Sequence, residues 1–154
     1  MSKRIIAIDP GRTTGVVIGT VGSQTNPTEL QLLEAFEIHW PNRLTAVDAL
    51  FGNMLIGSPI PAVTVEAVVI ESFHLYAHKA KEQIGNEFPS VRVIGYVEML
   101  CWQYHIDHLI TFQGASEISR VQILKEHEQH LHSEHMKDAY KHFRLWCVKH
   151  KGVR

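Results

Sequence analysis

IIAIDPGRTTGVVIG, residues 5–19, predicts a buried β-strand that ends in a carboxylate. The four residues before Asp9 are apolar or small, which is typical of a strand in the middle of a sheet. Pro10-Gly11 then breaks the strand, so we expect the acid to point into a crevice at the sheet edge. A second glycine, Gly15, lets the chain return as an antiparallel partner. This stretch alone is equally typical of a tight hairpin whose Asp accepts backbone hydrogen bonds.

The whole chain, residues 1–154, is expected to form a single α/β domain. Its length of 154 residues and its 45% apolar content are enough for one sizeable core. No stretch reaches the roughly 18 apolar residues of a membrane span, so we expect a protein that is neither membrane-bound nor exported. Cys101 and Cys147 fall on apolar stripes of predicted helices, which indicates buried free thiols and a reducing cytoplasm.

A second apolar run, residues 65–70, also ends in an acid, Glu71. Between the two acids, apolar residues recur at three and four over residues 44–55, which predicts a crossover helix. The two strands would then be parallel neighbours, with Asp9 and Glu71 side by side. Two such acids need a proton or a cation between them, and hard divalent ions such as Mg²⁺ suit oxygen ligands. The alternative for Glu71 is a salt bridge with a lysine such as Lys79.

The remaining pattern predicts a three-stranded meander, a short fifth strand and three more helices. The antiparallel strands are expected at residues 5–9, 14–20 and 30–39, and the fifth strand at 108–112. A long helix opens at Pro89, in which Gly95 offers a place for close approach. Ser116 and Ser133 are expected to cap the two helices that follow.

The last predicted helix carries the remaining polar residues of interest. Its apolar face is formed by Met136, Ala139, Tyr140, Phe143, Trp146 and Cys147. At 100° per residue, His135, Asp138 and His142 fall together on one flank of this helix. If the apolar face packs on the sheet, the flank meets the strand ends and closes a cluster. We expect that cluster to consist of Asp9, Glu71, His135 and Asp138.

The C-terminal part of the chain is basic. Residues 120–154 hold eight Lys or Arg against four Asp or Glu, hence +4, although the whole chain has a net charge of −1. Lys137, Lys141 and Arg144 lie on a different helix face from the acids, where they can meet solvent or phosphate. A mixed, solvated helical surface is an equally good interpretation.

Histidines are frequent in the same part of the chain. The stretch His127, His130, His132 and His135 raises the alternative of a zinc site, because imidazoles three residues apart can share a metal ion. The stretch spans a break between two predicted helices, however. A scattered polar face explains most of these histidines equally well.

Three segments together resemble a known family, the RuvC-type Holliday junction resolvases, and in particular the shorter phage-encoded ones. They are IAIDPGRTTGVV at 6–17, VVIES at 68–72 and HMKDAYKH at 135–142. The resemblance implies an RNase H-like fold, a mixed five-stranded sheet flanked by helices. It also implies a homodimer that cuts two strands of a four-way DNA junction symmetrically.

The resemblance carries over to individual acids. The family's first, second and last acids correspond to Asp9, Glu71 and Asp138, and its remaining acid is replaced here by His135, as in some other members. These four residues are the candidate catalytic and metal-binding residues. Two Mg²⁺ ions are expected per site, with Mn²⁺ as an alternative because imidazole binds it well. The expected reaction is phosphodiester hydrolysis that leaves a 5′ phosphate.

The candidate DNA-binding residues lie mainly in a predicted loop after Glu71. That loop mixes aromatic and basic side chains, which suit stacked bases and phosphates. In the family an aromatic residue there stacks on the junction's bases. Lysines that the long bacterial members carry before their penultimate helix have no clear match here: Ile118 stands near one expected position, and Arg120 is the nearest substitute. The candidates are Phe73, Tyr76, Lys79, Lys81, Arg120 and Lys141.

Three other functions share part of this pattern. Nucleases that process pre-ribosomal RNA have the Asp-x-Gly strand and a late acid, so structured RNA is an alternative substrate. A catalytically silent junction-binding protein is a second alternative, because of His135. Actin-like or sugar-kinase ATPases also share the Asp-x-Gly hairpin, but they need a second similar domain for which this chain has no room.

Overall fold

A computed structural model describes residues 3–22, 26, 28–39, 65–74 and 88–153. Its five strands are β1 Arg4–Asp9, β2 Thr13–Val21, β3 Leu30–His39, β4 Val65–Glu71 and β5 Ile110–Gln113. Its α-helices are α1 Pro89–Gln103, α2 Lys125–Glu128 and α3 Glu134–Lys151. Two 3₁₀ helices, Asp107–Leu109 and Ala115–Arg120, flank β5.

The strands form one sheet in the order β3-β2-β1-β4-β5. β1 pairs antiparallel with β2, and β2 pairs antiparallel with β3, which confirms the predicted meander. β4 runs parallel to β1, and β5 runs parallel to β4. The expected mixed five-stranded sheet is therefore confirmed, and the carboxyl ends of its parallel strands β1, β4 and β5 share one edge. The predicted crossover helix at 44–55 lies outside the described residues.

The helix α3 covers one face of the sheet. Its buried residues Tyr140, Phe143 and Cys147 pack against Ile5 and Val17 of the two central strands. α1 covers the opposite face, where Leu100 and Cys101 join the alternate residues of the same strands. The two faces follow from the period-2 alternation of strands that are buried on both sides.

Two glycines of β2 let α3 lie unusually close to the sheet. A Cβ atom at Gly15 would lie 2.1 Å from the backbone oxygen of His135, and one at Gly19 would lie 2.5 Å from the Phe143 ring. Any larger side chain would force the helix away from the strand. Gly15 therefore fixes the height of the first turn of α3 above the sheet edge.

Three predictions about local structure need correction. Ser116 does not cap a helix: it lies inside the 3₁₀ helix, whose start is capped by the Glu117 carboxylate accepting from the Gly114 N–H at 2.8 Å. The expected close approach at Gly95 is not found, because no described atom lies within 4 Å of a Cβ built there. The fifth strand is displaced, since a 3₁₀ turn occupies Asp107–Leu109.

Other local predictions are confirmed. Ser133 caps α3, and its side chain accepts a hydrogen bond from the Met136 N–H at 3.2 Å. Cys101 and Cys147 are both buried and unpaired, one on each face of the sheet. None of the helices in the described part of the chain is long and apolar enough to cross a membrane.

Candidate active site

Asp9 and Glu71 stand side by side where β1 and β4 end. The register pairs Ile8 with Ile70, so the next residue of each strand is an acid. Asp9 is buried, with only 9% of its surface exposed, whereas the Glu71 side chain is 24% exposed. The juxtaposition expected from two parallel strands is therefore confirmed.

Helix α3 brings two more candidate residues to this edge. His135 lies in its first turn, against the backbone of Gly15, and Asp138 follows one turn later. The His135 Nδ1 atom lies 2.9 Å from Oδ2 of Asp9, close enough to donate a hydrogen bond to the carboxylate. Asp138 accepts from the Lys141 ammonium at 2.7 Å. The sheet edge therefore gathers side chains from three separate elements.

The pKa of Asp9 is raised above its ordinary value. Burial is the largest cause, and the negative charges of Glu71 and Asp138 raise it further. The hydrogen bond and charge of His135 act in the opposite direction without cancelling the rise. Glu71 and Asp138 are therefore close enough to disfavour a negative charge on Asp9, an effect that a cation at this edge would relieve.

Glu71 has a partner that sequence reasoning missed. Its Oε2 atom lies 3.0 Å from Nε2 of His142, a fully buried side chain of α3. The other ring nitrogen, Nδ1, lies 3.0 Å from Oε1 of Gln113, the last residue of β5. The helical periodicity placed His142 on the same flank as His135, but nothing local indicated its partner. The alternative partner Lys79 lies outside the described residues.

The donor chemistry of this edge fits a hard divalent cation. Asp9, Glu71 and Asp138 supply carboxylate oxygens, which Mg²⁺ and Mn²⁺ accept, and His135 adds an imidazole that Mn²⁺ tolerates. As they stand, no three His, Cys, Asp or Glu side chains of the described residues are grouped to hold an ion. Each carboxylate instead has one oxygen in a hydrogen bond with a neighbouring side chain. Binding a cation therefore requires these side chains to move closer together, with the free oxygen of each carboxylate turned towards the ion.

The candidate DNA-binding residues are only partly described. Phe73 is exposed beside Glu71, contacts the Phe88 ring at 5.3 Å, and lines a cleft of about 600 Å³ that also includes Phe112. Arg120 is exposed at the end of the second 3₁₀ helix. Tyr76, Lys79 and Lys81 lie outside the described residues.

The basic face predicted for α3 is less available than expected. Lys141 is paired with Asp138, and Lys137 pairs with Glu134 at 2.8 Å. Arg144 donates to the backbone carbonyl of Gln122. The i, i+3 spacing of the two lysines from acids was a signal that could have identified both pairs.

The predicted polar face of histidines is wrong for His127. This side chain is buried, and its Nδ1 atom lies 2.8 Å from the hydroxyl of Tyr140. Burial lowers the pKa of His127 and raises the pKa of Tyr140 to about 12. His130 and His132 are exposed. The four histidines of the zinc alternative are not grouped around a common point in the described structure.

Solved structures of Holliday junction resolvases share this fold over nearly the whole chain. Thermus thermophilus RuvC in complex with a Holliday junction has a TM-score of 0.67 at 14% identity, covering 97% of this chain and 96% of that one. A second Thermus thermophilus RuvC structure gives 0.61 at 14%, covering 96% and 97%. The fowlpox virus Holliday junction resolvase gives 0.60 at 11%, covering 95% and 98%. No family model and no curated protein matches the sequence.

At such low identities, these matches establish the architecture. The resemblance that three short sequence segments indicated is thus confirmed at the level of the fold. This chain therefore has the fold of the solved RuvC and fowlpox virus Holliday junction resolvases.

Proposed function

We propose that this protein is a metal-dependent endonuclease that resolves four-way DNA junctions by paired, symmetric nicks. The observation that carries the proposal is the convergence of Asp9, Glu71 and Asp138 at one sheet edge, where the charges of the other two raise the pKa of Asp9. The fold supports it, because a neighbour with the same architecture is bound to a Holliday junction. The substrate class is transferred from that neighbour by likeness of fold.

The residues proposed to hold Mg²⁺ or Mn²⁺ are Asp9, Glu71, His135 and Asp138. Two divalent cations bound there would activate water for in-line attack and neutralise the leaving 3′ oxygen, which leaves a 5′ phosphate. The chain itself contributes the geometry. Burial of Asp9 excludes water from one side of the edge, and His135 Nδ1 orients its carboxylate. Gly15 sets how closely His135 approaches that carboxylate.

We propose that the junction lies across the cleft beside Glu71. Phe73 is exposed there and can stack on an unpaired base, and Arg120 can meet a phosphate. The Lys141 ammonium donates to Asp138 and has two further N–H groups with which it can contact a phosphate. Tyr76, Lys79 and Lys81 follow Phe73 in the chain and are proposed to extend the same surface.

We also propose that the protein acts as a homodimer in the cytoplasm. Paired symmetric cuts need two active sites, which a two-fold dimer supplies. The outer face of α1 exposes Val91, Met99 and Trp102, an apolar surface on which a second copy can pack. Two buried free thiols suit a reducing compartment.

The test is a gel assay of the purified protein on an end-labelled mobile four-way junction. A linear duplex of the same arm sequence is the matched control, and Mg²⁺, Mn²⁺ and EDTA are compared. We expect paired nicks at symmetric positions in the junction alone, with Mg²⁺ or Mn²⁺ and not with EDTA. Ligation of the products by DNA ligase then checks for the 5′ phosphate.

Two other results would contradict the proposal. Retardation of the junction without any cut under either metal would indicate a junction-binding protein, in which the hydrogen bond between His135 and Asp9 keeps the site closed. Cleavage of a structured ribosomal RNA precursor with no action on the junction would indicate an RNA-processing nuclease.

A further inference from the structure

We propose that His142 and Gln113 are positioning residues that fix the Glu71 carboxylate, and thereby set the affinity of the site for a divalent cation. This inference rests on the proposed function, because it assumes that Glu71 is a cation ligand. It assigns a role to two side chains that lie behind the carboxylates and that do not meet the cation themselves.

The contacts form one continuous chain across the sheet. Gln113 and Glu71 are direct partners in the register of β5 and β4. The His142 ring spans them from above, with 3.0 Å from Nε2 to Glu71 Oε2 and 3.0 Å from Nδ1 to Gln113 Oε1. His142 is 0% exposed and Gln113 is 2% exposed. Both ring nitrogens are therefore engaged, and the ring is sealed from solvent.

The direction of the hydrogen bond to Glu71 follows from its charge. A carboxylate that binds a cation is ionised and can only accept, so the hydrogen must be on His142 Nε2. Gln113 then either accepts from Nδ1–H of a doubly protonated ring or, with its amide turned over, donates to the bare Nδ1 of a neutral ring. The buried Gln113 Nε2 atom has no hydrogen-bond partner among the described residues. Turning the amide over would let this nitrogen donate to Nδ1 of His142, as in the second arrangement. In both arrangements Nε2–H holds Oε2 of Glu71.

Glu71 needs such support more than Asp9 does. Its side chain has one more rotatable bond and is more exposed, so it loses more conformational freedom when it binds an ion. A hydrogen-bond donor fixed in the core removes part of that cost in advance. Substituting such outer partners of ligand carboxylates typically weakens metal affinity or activity about 10–100-fold.

α3 thus contacts both strand-end acids, Asp9 and Glu71, through a histidine side chain. His135 and His142 are seven residues apart, which places them two turns apart on one side of the helix. The first holds Asp9 and is partly exposed, with 48% of its side chain accessible, and the second holds Glu71 from within the core. Only the exposed one has access to an incoming ion.

The experiment compares His142→Gln with His142→Asn. The amide nitrogen of Gln reaches about as far from the backbone as imidazole Nε2, so it keeps a donor for Glu71; that of Asn reaches only as far as Nδ1. Titration of each protein with MnCl₂ by calorimetry, without DNA, is the readout. We expect His142→Asn to bind Mn²⁺ about 10–100-fold more weakly than wild type, and His142→Gln to bind within about 3-fold of it.

Two controls separate positioning from a general loss of structure. His127→Asn removes another buried, hydrogen-bonded histidine of the same face, and we expect it to leave Mn²⁺ affinity unchanged. Thermal unfolding of all variants identifies the temperature at which each remains folded for the titration. In a Glu71→Gln background, the difference between His142→Gln and His142→Asn should disappear, because the carboxylate that only the Gln variant can reach is gone.

The inference is overturned if the Gln and Asn variants bind Mn²⁺ equally, if their difference persists without Glu71, or if wild type binds no Mn²⁺. Junction cleavage is measured separately on the same proteins. Cleavage with equal Mn²⁺ affinities would leave the proposed function standing and the inference wrong. If the two variants differ in Mn²⁺ affinity but no junction is cleaved, the inference stands and the proposed function is wrong.

Discussion

The two faces of the sheet are covered by helices of similar length that pack in different ways. On the α3 face, Gly15 and Gly19 let the helix approach until it leaves no room for a Cβ atom. On the α1 face, the outer side of the helix exposes Val91, Met99 and Trp102, the last of which is 71% exposed. α3 therefore packs tightly against the strands, whereas α1 keeps an apolar side exposed.

The difference in packing corresponds to two roles, with α3 holding the site and α1 covering the other face of the sheet. A site built from several elements must hold its side chains within a fraction of an ångström, which requires the tight contact that α3 makes. Both strand-end acids are accordingly held from α3, through His135 and His142. The α1 face contributes core residues and an exposed apolar surface.

The largest expected difference is between two tryptophans. Trp146 of α3 is 6% exposed and stacks on His150 at 4.8 Å, so Trp146→Ala should lower the free energy of unfolding by about 3–5 kcal/mol. Trp102→Ala should change it by no more than about 0.5 kcal/mol. Urea unfolding at low protein concentration, which favours a monomer, measures both. Equal losses would show that α1 is as firmly buried as α3.

Two glycines give the next largest difference. Gly15→Ala should cost about 1–3 kcal/mol by overpacking, and it should slow cleavage about 10²-fold by displacing His135. Gly95→Ala adds a methyl group to an exposed helix position and should stabilise by about 0.5–1 kcal/mol with unchanged cleavage. Denaturation curves and single-turnover rates provide the measurements. If Gly15→Ala cleaved as wild type does, the close contact would have no role in the site.

A smaller effect is expected from the buried charge of Asp9. Because its pKa is raised in the folded protein, the native state holds this proton more tightly than the unfolded state does. Stability therefore falls as pH rises through the interval between the two pKa values, and Asp9→Asn escapes this loss. In EDTA, Asp9→Asn should melt a few degrees above wild type at pH 7, and the gap should narrow as the pH is lowered towards about 4, near the ordinary pKa of an aspartate in an unfolded chain.

Glu98→Gln, an exposed change on α1, is the control for that experiment. It should shift melting little at any pH, because the carboxylate is already solvated. A gap for Asp9→Asn that widens towards acid would mean that the folded state favours the ionised carboxylate instead.

The smallest effect concerns the cysteines, for which the two faces should behave alike. Burial raises the pKa of Cys101 and of Cys147 to about 12. Neither thiol should therefore react with iodoacetamide at pH 8 in the native protein, and both should react in urea. Mass spectrometry counts the adducts. Rapid native labelling of Cys101 alone would indicate that α1 opens more readily than α3.

The main architecture could be predicted because its signals are local. Uninterrupted apolar runs located β1 and β4, and a helical stripe located α3. The adjacency of Asp9 and Glu71 then followed from parallel pairing alone. The region around Ser116 could not be predicted, because a tertiary contact between Lys149 and the capping residue Glu117 supports its 3₁₀ helix.

The buried partners of the site could not be predicted from the sequence for a related reason. His142 could be placed on the correct flank by periodicity, but its contact with Glu71 depends on how α3 lies over the sheet. Gln113 depends further on the register of β5, a four-residue strand with little pattern of its own. Such contacts join segments far apart in the chain, which periodicity does not relate.

The central claim is that the carboxylate edge cuts DNA junctions, and Asp9→Asn tests it most directly. The variant and wild type are each incubated with an end-labelled four-way junction, with Mg²⁺ for cleavage and with EDTA for binding. We predict that Asp9→Asn makes no cuts and retains the junction as well as wild type or better, because a negative charge beside phosphate is removed. An Asp9→Asn protein that cuts the junction at the wild-type rate would contradict the account.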